Sequence, residues 1–414
     1  MGNSLSKVRE FLKVHGRPER EIYFDLENSG WVPPEVVRVM LPYFSEVGYG
    51  HPSITNKRGW EALEAVLKAQ EFIASSIGAN PSEIVFTHSG TESNNLAVIG
   101  AALANKEKGK KIVISAVEHF SVMVPANELS KYGFKVVQVP VNEEGFIDLD
   151  ILETLIDSET VLVSVQLVNH EIGTIQPLKD VVELVKDKNK STIIHTDAVD
   201  AYTKLPINVK ELGVDLLTLS SHKILGPKGA GALYIKEGTK IERIIHGALS
   251  TQQYWPGVEN VPAIVGFYEA ARLALEKMSD HVGYVKGLRD ELMKGILESV
   301  SDVLVNGPLG SGRVADNANM SFLYVEGEAL TVELSLRGVY VSSGSACTSR
   351  VLEPSHVLLA IGRKYEEAHG SILFKLSRYH TREDIEYILN HISEAVEKLR
   401  KISPLKRTPA KEDV

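Results

Sequence analysis

A chain of 414 residues with 43% hydrophobic and 24% charged residues has the make-up of a globular protein long enough for two packed domains. Its net charge of −9 is spread along the sequence, which excludes the basic patch that a nucleic-acid-binding surface needs. A single cysteine excludes a disulfide framework or a cysteine-rich zinc site, and no apolar run reaches the roughly 18–20 residues of a membrane-spanning helix.

The first residues, "MGNSLS", fit the short myristoylation pattern through Gly2 and Ser6, and no apolar signal-peptide core follows. The segment reads as a leader to the first helix of a cytoplasmic protein. From Gly59 to Gly78, Ala62, Leu63, Val66, Leu67, Ala69, Phe72 and Ile73 fall mostly at helical spacing, and Gly78 offers a stop. Short β-rich runs then alternate with helical ones. "EIVFT" (83–87) precedes a helix from Thr91, and "KKIVISA" (110–116) precedes one through Val122–Lys131. "TVLVSVQLV" (160–168) precedes a helix over Leu178–Lys186, followed by "STIIHTD" (191–197), "VDLLTLS" (214–220) and "GALYI" (231–235). Near-continuous Val/Ile/Leu strands between helices predict a parallel or mixed α/β sheet covered on both faces. Past residue 260 long helical stretches, Val261–Ser279 and His281–Ser299, lead to strands at 319–325 and 372–377, the texture of a smaller α+β domain. The expected organisation is a leader at 1–20, a large domain at 21–260, a small domain at 261–402 and a tail at 403–414.

Ligands of α/β sheets gather at the carboxyl ends of the strands. The residues that follow each predicted strand are His88–Thr91, Glu118-His119, Asn169–Glu171, Asp197–Asp200 and Ser220–Lys223, a dense polar set. "HSGTESNN" (88–95) is a glycine-containing turn opening a helix, which presents backbone N–H groups to an anion, with the Thr91 hydroxyl at hand. An ordinary capped helix has the same look. Lys223 stands between a polar turn and the apolar Ile224-Leu225 pair, where desolvation lowers an amine's pKa and makes it nucleophilic. A phosphate turn, a strand-end Asp197 and a later strand-end Lys223 together suit pyridoxal phosphate, which needs a lysine and a carboxylate for its ring nitrogen. His119 fits over the ring face. Cys347, in "SSGSACTS" (342–349), lies among small residues with no apolar periodicity to bury it.

The stretches "EIVFTHSGTESNNLAVIGAA", "SAVEHFSV", "VNHEIGTIQPL", "HTDAV", "SSHKILGPKGAGALYI", "VEGEAL" and "VSSGSACTSRVLEPSHVLLAIG" resemble the cysteine desulfurases of the NifS/IscS kind. These are class V, fold-type I pyridoxal-phosphate enzymes, and the resemblance covers roughly residues 20–400. It implies a large domain with a mostly parallel sheet of the seven-stranded type plus a smaller C-terminal α+β domain. Lys223 would carry the cofactor, Asp197 would pair with its pyridine nitrogen, and Gly90, Thr91, Ser220 and His222 would bind its phosphate. His119 would stack on the ring and assist proton transfer, and Asn169 would line the cofactor. Cys347 would take sulfur from L-cysteine as a persulfide, leaving alanine. A sulfur acceptor, either an iron–sulfur scaffold or a sulfur carrier, would receive it for iron–sulfur cluster assembly or tRNA thiolation, from a homodimer.

Four places depart from the family pattern. An Ala-Thr-Thr turn is replaced around Glu27-Asn28-Ser29-Gly30, where Asn28 and Ser29 could still bond a substrate. Asp200 takes the place of a Gln that bonds the cofactor's phenolic oxygen. An Arg-x-Gly-Thr loop end reads Trp255-Pro256-Gly257-Val258, and Leu373 stands where the arginine for the substrate carboxylate belongs, with Lys375 and Arg378 close by. These changes leave two other outcomes open: a lyase of the same cofactor acting on another sulfur or selenium amino acid, and a non-catalytic scaffold that keeps the fold.

Overall fold

The computed structural model describes Pro18 and residues 20–248, 251–343 and 354–404. The described chain divides into two compact units. The larger comprises Ser29–His281 and Pro308–Val314, and the smaller comprises the described parts of Met1–Asn28, Val282–Gly307 and Ala315–Val414.

The larger unit is built on β1 (Ile84–Thr87), β2 (Lys111–Ser115), β3 (Lys135–Val139), β4 (Thr160–Ser164), β5 (Ile193–Asp197), β6 (Leu216–Ser220) and β7 (Gly231–Ile235). They form one seven-stranded sheet in the order β1-β7-β6-β5-β4-β2-β3. Neighbours are parallel except that β7 runs antiparallel to both β1 and β6. β4 to β7 are buried at every position, which is why β4, β6 and β7 read as near-continuous apolar runs, while β5 buries His195, Thr196 and Asp197 as well. Alternate residues serve opposite faces. Val113, Val163, Ile194 and Leu217 join one apolar cluster, while Ile112, Ile114, Leu162, Ile193 and Leu216 join another. β3 escapes the sequence reading because it is the sheet edge: Lys135 and Gln138 are exposed and break the apolar run.

The helices of this unit include α1 (Pro34–Met40), α2 (Lys57–Ser76), α3 (Gly90–Ala104), α4 (Phe120–Glu128), α5 (Leu178–Lys188) and α6 (Val261–Leu275). The Asn56 side chain accepts the Gly59 N–H at 3.0 Å to start α2, and the Ser89 hydroxyl accepts the Glu92 N–H at 3.2 Å to start α3. α6 packs against α1 and α2, so the larger unit runs on past residue 260 to His281.

α7 (Met278–Ser299) leads into the smaller unit, whose sheet contains β8 (Val303–Val305), β9 (Asn317–Phe322), β10 (Ser342–Ser343) and β11 (Ser371–Lys375). The order is β10-β11-β9-β8, all antiparallel. α8 (Gly327–Leu336) and α9 (Arg382–Ile402) complete it, and Ile388, Ile392 and Val396 of α9 join Phe322 and Phe374 in its core. The segment from Ile22 belongs here because its backbone is captured: Ile22-Tyr23 pairs in parallel with Val339-Tyr340, and the Lys375 N–H donates to Phe24 O at 2.8 Å. The Phe24 ring lies parallel to His380, centroids 4.6 Å apart. Among the described residues no helix is long and apolar enough to cross a membrane.

Candidate active site

Parallel strands end on one edge of the sheet, so residues far apart in sequence meet there. Asp197 closes β5 and is buried. One carboxylate oxygen accepts the Val199 N–H at 2.9 Å, and the other accepts from Asn94 Nδ2 at 2.7 Å. Burial pushes this carboxyl above the usual range. Glu118, with no exposed surface, accepts the Gln166 N–H at 2.7 Å, and burial raises its carboxyl further still.

Asn94 sits one turn into α3 and faces two ways. Its Nδ2 also donates to Ser121 Oγ at 2.8 Å, and that hydroxyl lies 2.7 Å from His119 Nδ1. The Ser121 N–H donates to the same Nδ1 at 3.1 Å. A ring nitrogen that accepts a backbone N–H carries no hydrogen of its own, so neutral His119 holds its hydrogen on Nε2. The His170 ring meets His119 edge-on, with centroids 5.1 Å apart.

Asn169 is fully buried and serves its own turn. Its Oδ1 accepts the N–H groups of Glu171 and Ile172 at 2.9 and 2.8 Å, and its Nδ2 donates to Val117 O at 3.0 Å. One amide hydrogen is left over from these bonds. Ser220, at the end of β6, has its hydroxyl 2.7 Å from His222 Nδ1. Burial, reinforced by the Lys223 charge, lowers His222 to about 4. Gly90 opens α3 beside them. A Cβ there would come within 3.0 Å of the Val199 side chain and 3.3 Å of that of Ser220, so a side chain would crowd this helix start. Thr91 follows it and is exposed. The Lys223 side chain is 8% exposed, its Nζ 3.3 Å from an Asp200 oxygen.

The remaining expected residues take other places. Ser29 is half-buried in the larger unit. In the smaller unit Asn28 Nδ2 donates to Asp25 Oδ1 at 2.7 Å and to Ser342 Oγ at 2.9 Å. Lys375 is buried in an ion pair with Glu27, 3.2 Å apart. Arg378 lies over the Tyr379 ring at 4.9 Å. Leu373 is buried on β11, in register with Asn319 and Ser342. In the loop before α6, Trp255 is buried and Val258 is 63% exposed. Cys347 lies outside the described residues.

Sequence reasoning passed over Asn94, Ser121, Glu27 and also Lys204, whose Nζ lies 3.5 Å from Asp200 Oδ1. The helical period held a signal for one of them, since Asn94 is four residues after Gly90 and so shares its face of α3. Among the described residues no group of His, Cys, Asp and Glu side chains is arranged to hold a metal ion.

The family model for aminotransferase class-V matches residues 22–388. The chain is 45% identical to a protein named cysteine desulfurase IscS from Dictyoglomus turgidum, over 94% of this chain and 98% of that one. A solved structure titled NifS-like protein superposes with a TM-score of 0.86 at 36% identity, covering 92% of this chain and all of the other. A further structure, titled SspA in complex with cysteine, gives a TM-score of 0.76 at 32% identity over 87% of this chain and 99% of that one.

Proposed function

We propose that this chain, which belongs to the aminotransferase class-V family, is a pyridoxal-phosphate-dependent cysteine desulfurase that forms its persulfide on Cys347. The net change is balanced without an outside oxidant. The Cβ–S bond of L-cysteine breaks, an S–S bond forms on Cys347, and Cβ takes up a proton to give L-alanine. The transferred sulfur is oxidised as the carbon is reduced.

The observation that carries this reading is the convergence of Gly90, Asp197, His119 and Lys223 at one edge of the sheet, held by Asn94 and Ser220. These residues fit the cofactor. The α3 start, kept free of a Cβ at Gly90, offers backbone N–H groups to a phosphate, with Thr91, the Ser220 hydroxyl and His222 beside it. Asp197 is anchored to hold a proton on the pyridine nitrogen, Asn169 keeps one amide hydrogen for the cofactor, and Lys223 supplies the amine that attaches it. Once bound, pyridoxal phosphate supplies an electron sink that loosens bonds at the substrate's α-carbon. His119, with its hydrogen on Nε2, moves a proton at that atom.

The sulfur then passes to an acceptor, an iron–sulfur scaffold or a sulfur carrier protein. Exposed Leu41, Phe44, Tyr49, Ile54 and Trp60 crowd one segment of the larger unit and support a homodimer. A single cysteine and the absence of a membrane-spanning helix among the described residues support a cytoplasmic enzyme. A second reading, an altered sulfur or selenium amino acid as substrate, is favoured by the buried Leu373 and by the engagement of Lys375 with Glu27.

The test is the product of L-cysteine under a reductant. Alanine and sulfide are expected in matched amounts, and both are lost in Cys347→Ser. A protein that shows the visible cofactor band but makes no alanine belongs to the second reading. A protein that binds no pyridoxal phosphate overturns both.

A further inference from the structure

Lys223 is held by charge as well as by position. Its Nζ lies 3.3 Å from Asp200 Oδ2, and Asp200 Oδ1 lies 3.5 Å from Lys204 Nζ. The three side chains are only 8%, 4% and 13% exposed, so water screens this pairing weakly. The resemblance to the desulfurases calls for a neutral glutamine at position 200. An amide at that place has hydrogen bonds to give and no net charge, whereas a carboxylate brings a full negative charge to within ion-pair distance of the reactive nitrogen.

The other charged and titratable groups around Lys223 have their own commitments. Asp197, from the end of β5, is bonded to Asn94 and to the Val199 N–H. His119, at the start of α4, is tied through Nδ1 to Ser121. His222 is half-buried, uncharged near neutral pH and bonded to Ser220, and Lys228 donates to Gly30 O at 3.1 Å.

We propose that Asp200 is the counter-ion of the Lys223 nitrogen and, with Lys204 moderating its charge, keeps a proton on that nitrogen once the cofactor is attached. Asp200 is thus a positioning residue that sets the protonation of the cofactor linkage where the resemblance calls for a neutral amide. The proposal rests on the reading of the site as a pyridoxal-phosphate site.

The holoenzyme's visible band reports that proton, so its titration against pH gives the apparent pKa of the linkage. Removing an opposite charge at this distance is expected to lower it by about 1–3 units in Asp200→Asn and in Asp200→Gln. Lys204→Met, which removes the moderating cation, is expected to raise it. Unchanged midpoints in both Asp200 variants would overturn the proposal. A second measurement needs no cofactor: acylation of Lys223 in the cofactor-free chain at neutral pH, followed by mass spectrometry of its peptide. Because the free amine is the reactive form, Asp200→Asn is expected to label about tenfold faster for each unit by which the pKa falls. Equal labelling rates would also overturn the pairing. A wild-type chain without a visible band would defeat the cofactor reading, while the labelling comparison would still decide the ion pair.

Discussion

Asn94 donates from its side-chain amide to the buried carboxylate of Asp197 at 2.7 Å, across 103 residues of sequence. The same amide nitrogen donates to Ser121, which adjoins His119. One helix side chain therefore ties the buried Asp197 carboxylate to the hydroxyl beside His119, the two groups proposed above for the cofactor's ring and for proton transfer.

Asn94→Ala removes a hydrogen bond to a charged group, a contribution of about 1.5–3 kcal/mol. Cofactor affinity is expected to fall roughly tenfold to hundredfold, read by absorbance titration of the cofactor-free protein. Far-ultraviolet circular dichroism should be unchanged, since α3 gains a better helix former. Unaltered affinity would show that the amide's bond to Asp197 contributes nothing to cofactor binding.

Ser121→Ala is a narrower test. The Ser121 backbone N–H still fixes the histidine tautomer, while the hydroxyl's contacts with His119 Nδ1 and Asn94 Nδ2 are lost, the one to His119 contributing about 1 kcal/mol. The expected result is a roughly fivefold lower kcat with KM unchanged. A fall confined to thermal stability would reduce Ser121 to a structural residue.

Leu373→Arg restores the arginine that the resemblance to the desulfurases calls for at this position, as partner of the substrate's carboxylate. A charge-assisted, bidentate partner contributes about 1.5–3 kcal/mol, so KM for L-cysteine should drop roughly tenfold to hundredfold. Because Leu373 is 2% exposed on β11, the melting temperature should be measured alongside. A folded variant with an unchanged KM would show that this chain recognises its substrate by other groups.

His195 predicts an acid limit to stability. Buried between the hydroxyls of Ser164 and Thr218, 2.8 and 3.1 Å from its two ring nitrogens, it is lowered by burial to about 3. In the unfolded chain it binds its proton near pH 6.5. The unfolded state thus takes up the proton first as the pH drops. Its contribution is full above about pH 6.5 and is lost toward pH 3, at up to about 1.4 kcal/mol per pH unit. Urea midpoints between pH 7 and 5 should fall less steeply in His195→Asn than in the wild type.

Much of this protein was legible in its sequence because the signals were local. Apolar-rich runs at 160–164 and 216–220, and the Ile193-Ile194 pair, mark strands covered on both faces, and the residues at and just after their ends are those that the sheet brings to one edge. Lys223, Asp197, His119 and Gly90 could be picked out by that rule. What stayed hidden was pairing. The edge strand β3 lacks the apolar run, α6 stays with the larger unit because of what it packs against, and the segment from Ile22 joins the smaller unit through backbone bonds to residues more than 300 positions away. The partners Asn94, Ser121, Lys204 and Glu27 are ordinary polar residues in sequence. A side chain's type and period are written locally, so the sequence by itself determined which residues could do the chemistry. Which carboxylate faces which amine depends on strand order and register, so only the tertiary structure decided that Asp200 lies against Lys223 and Glu27 against Lys375.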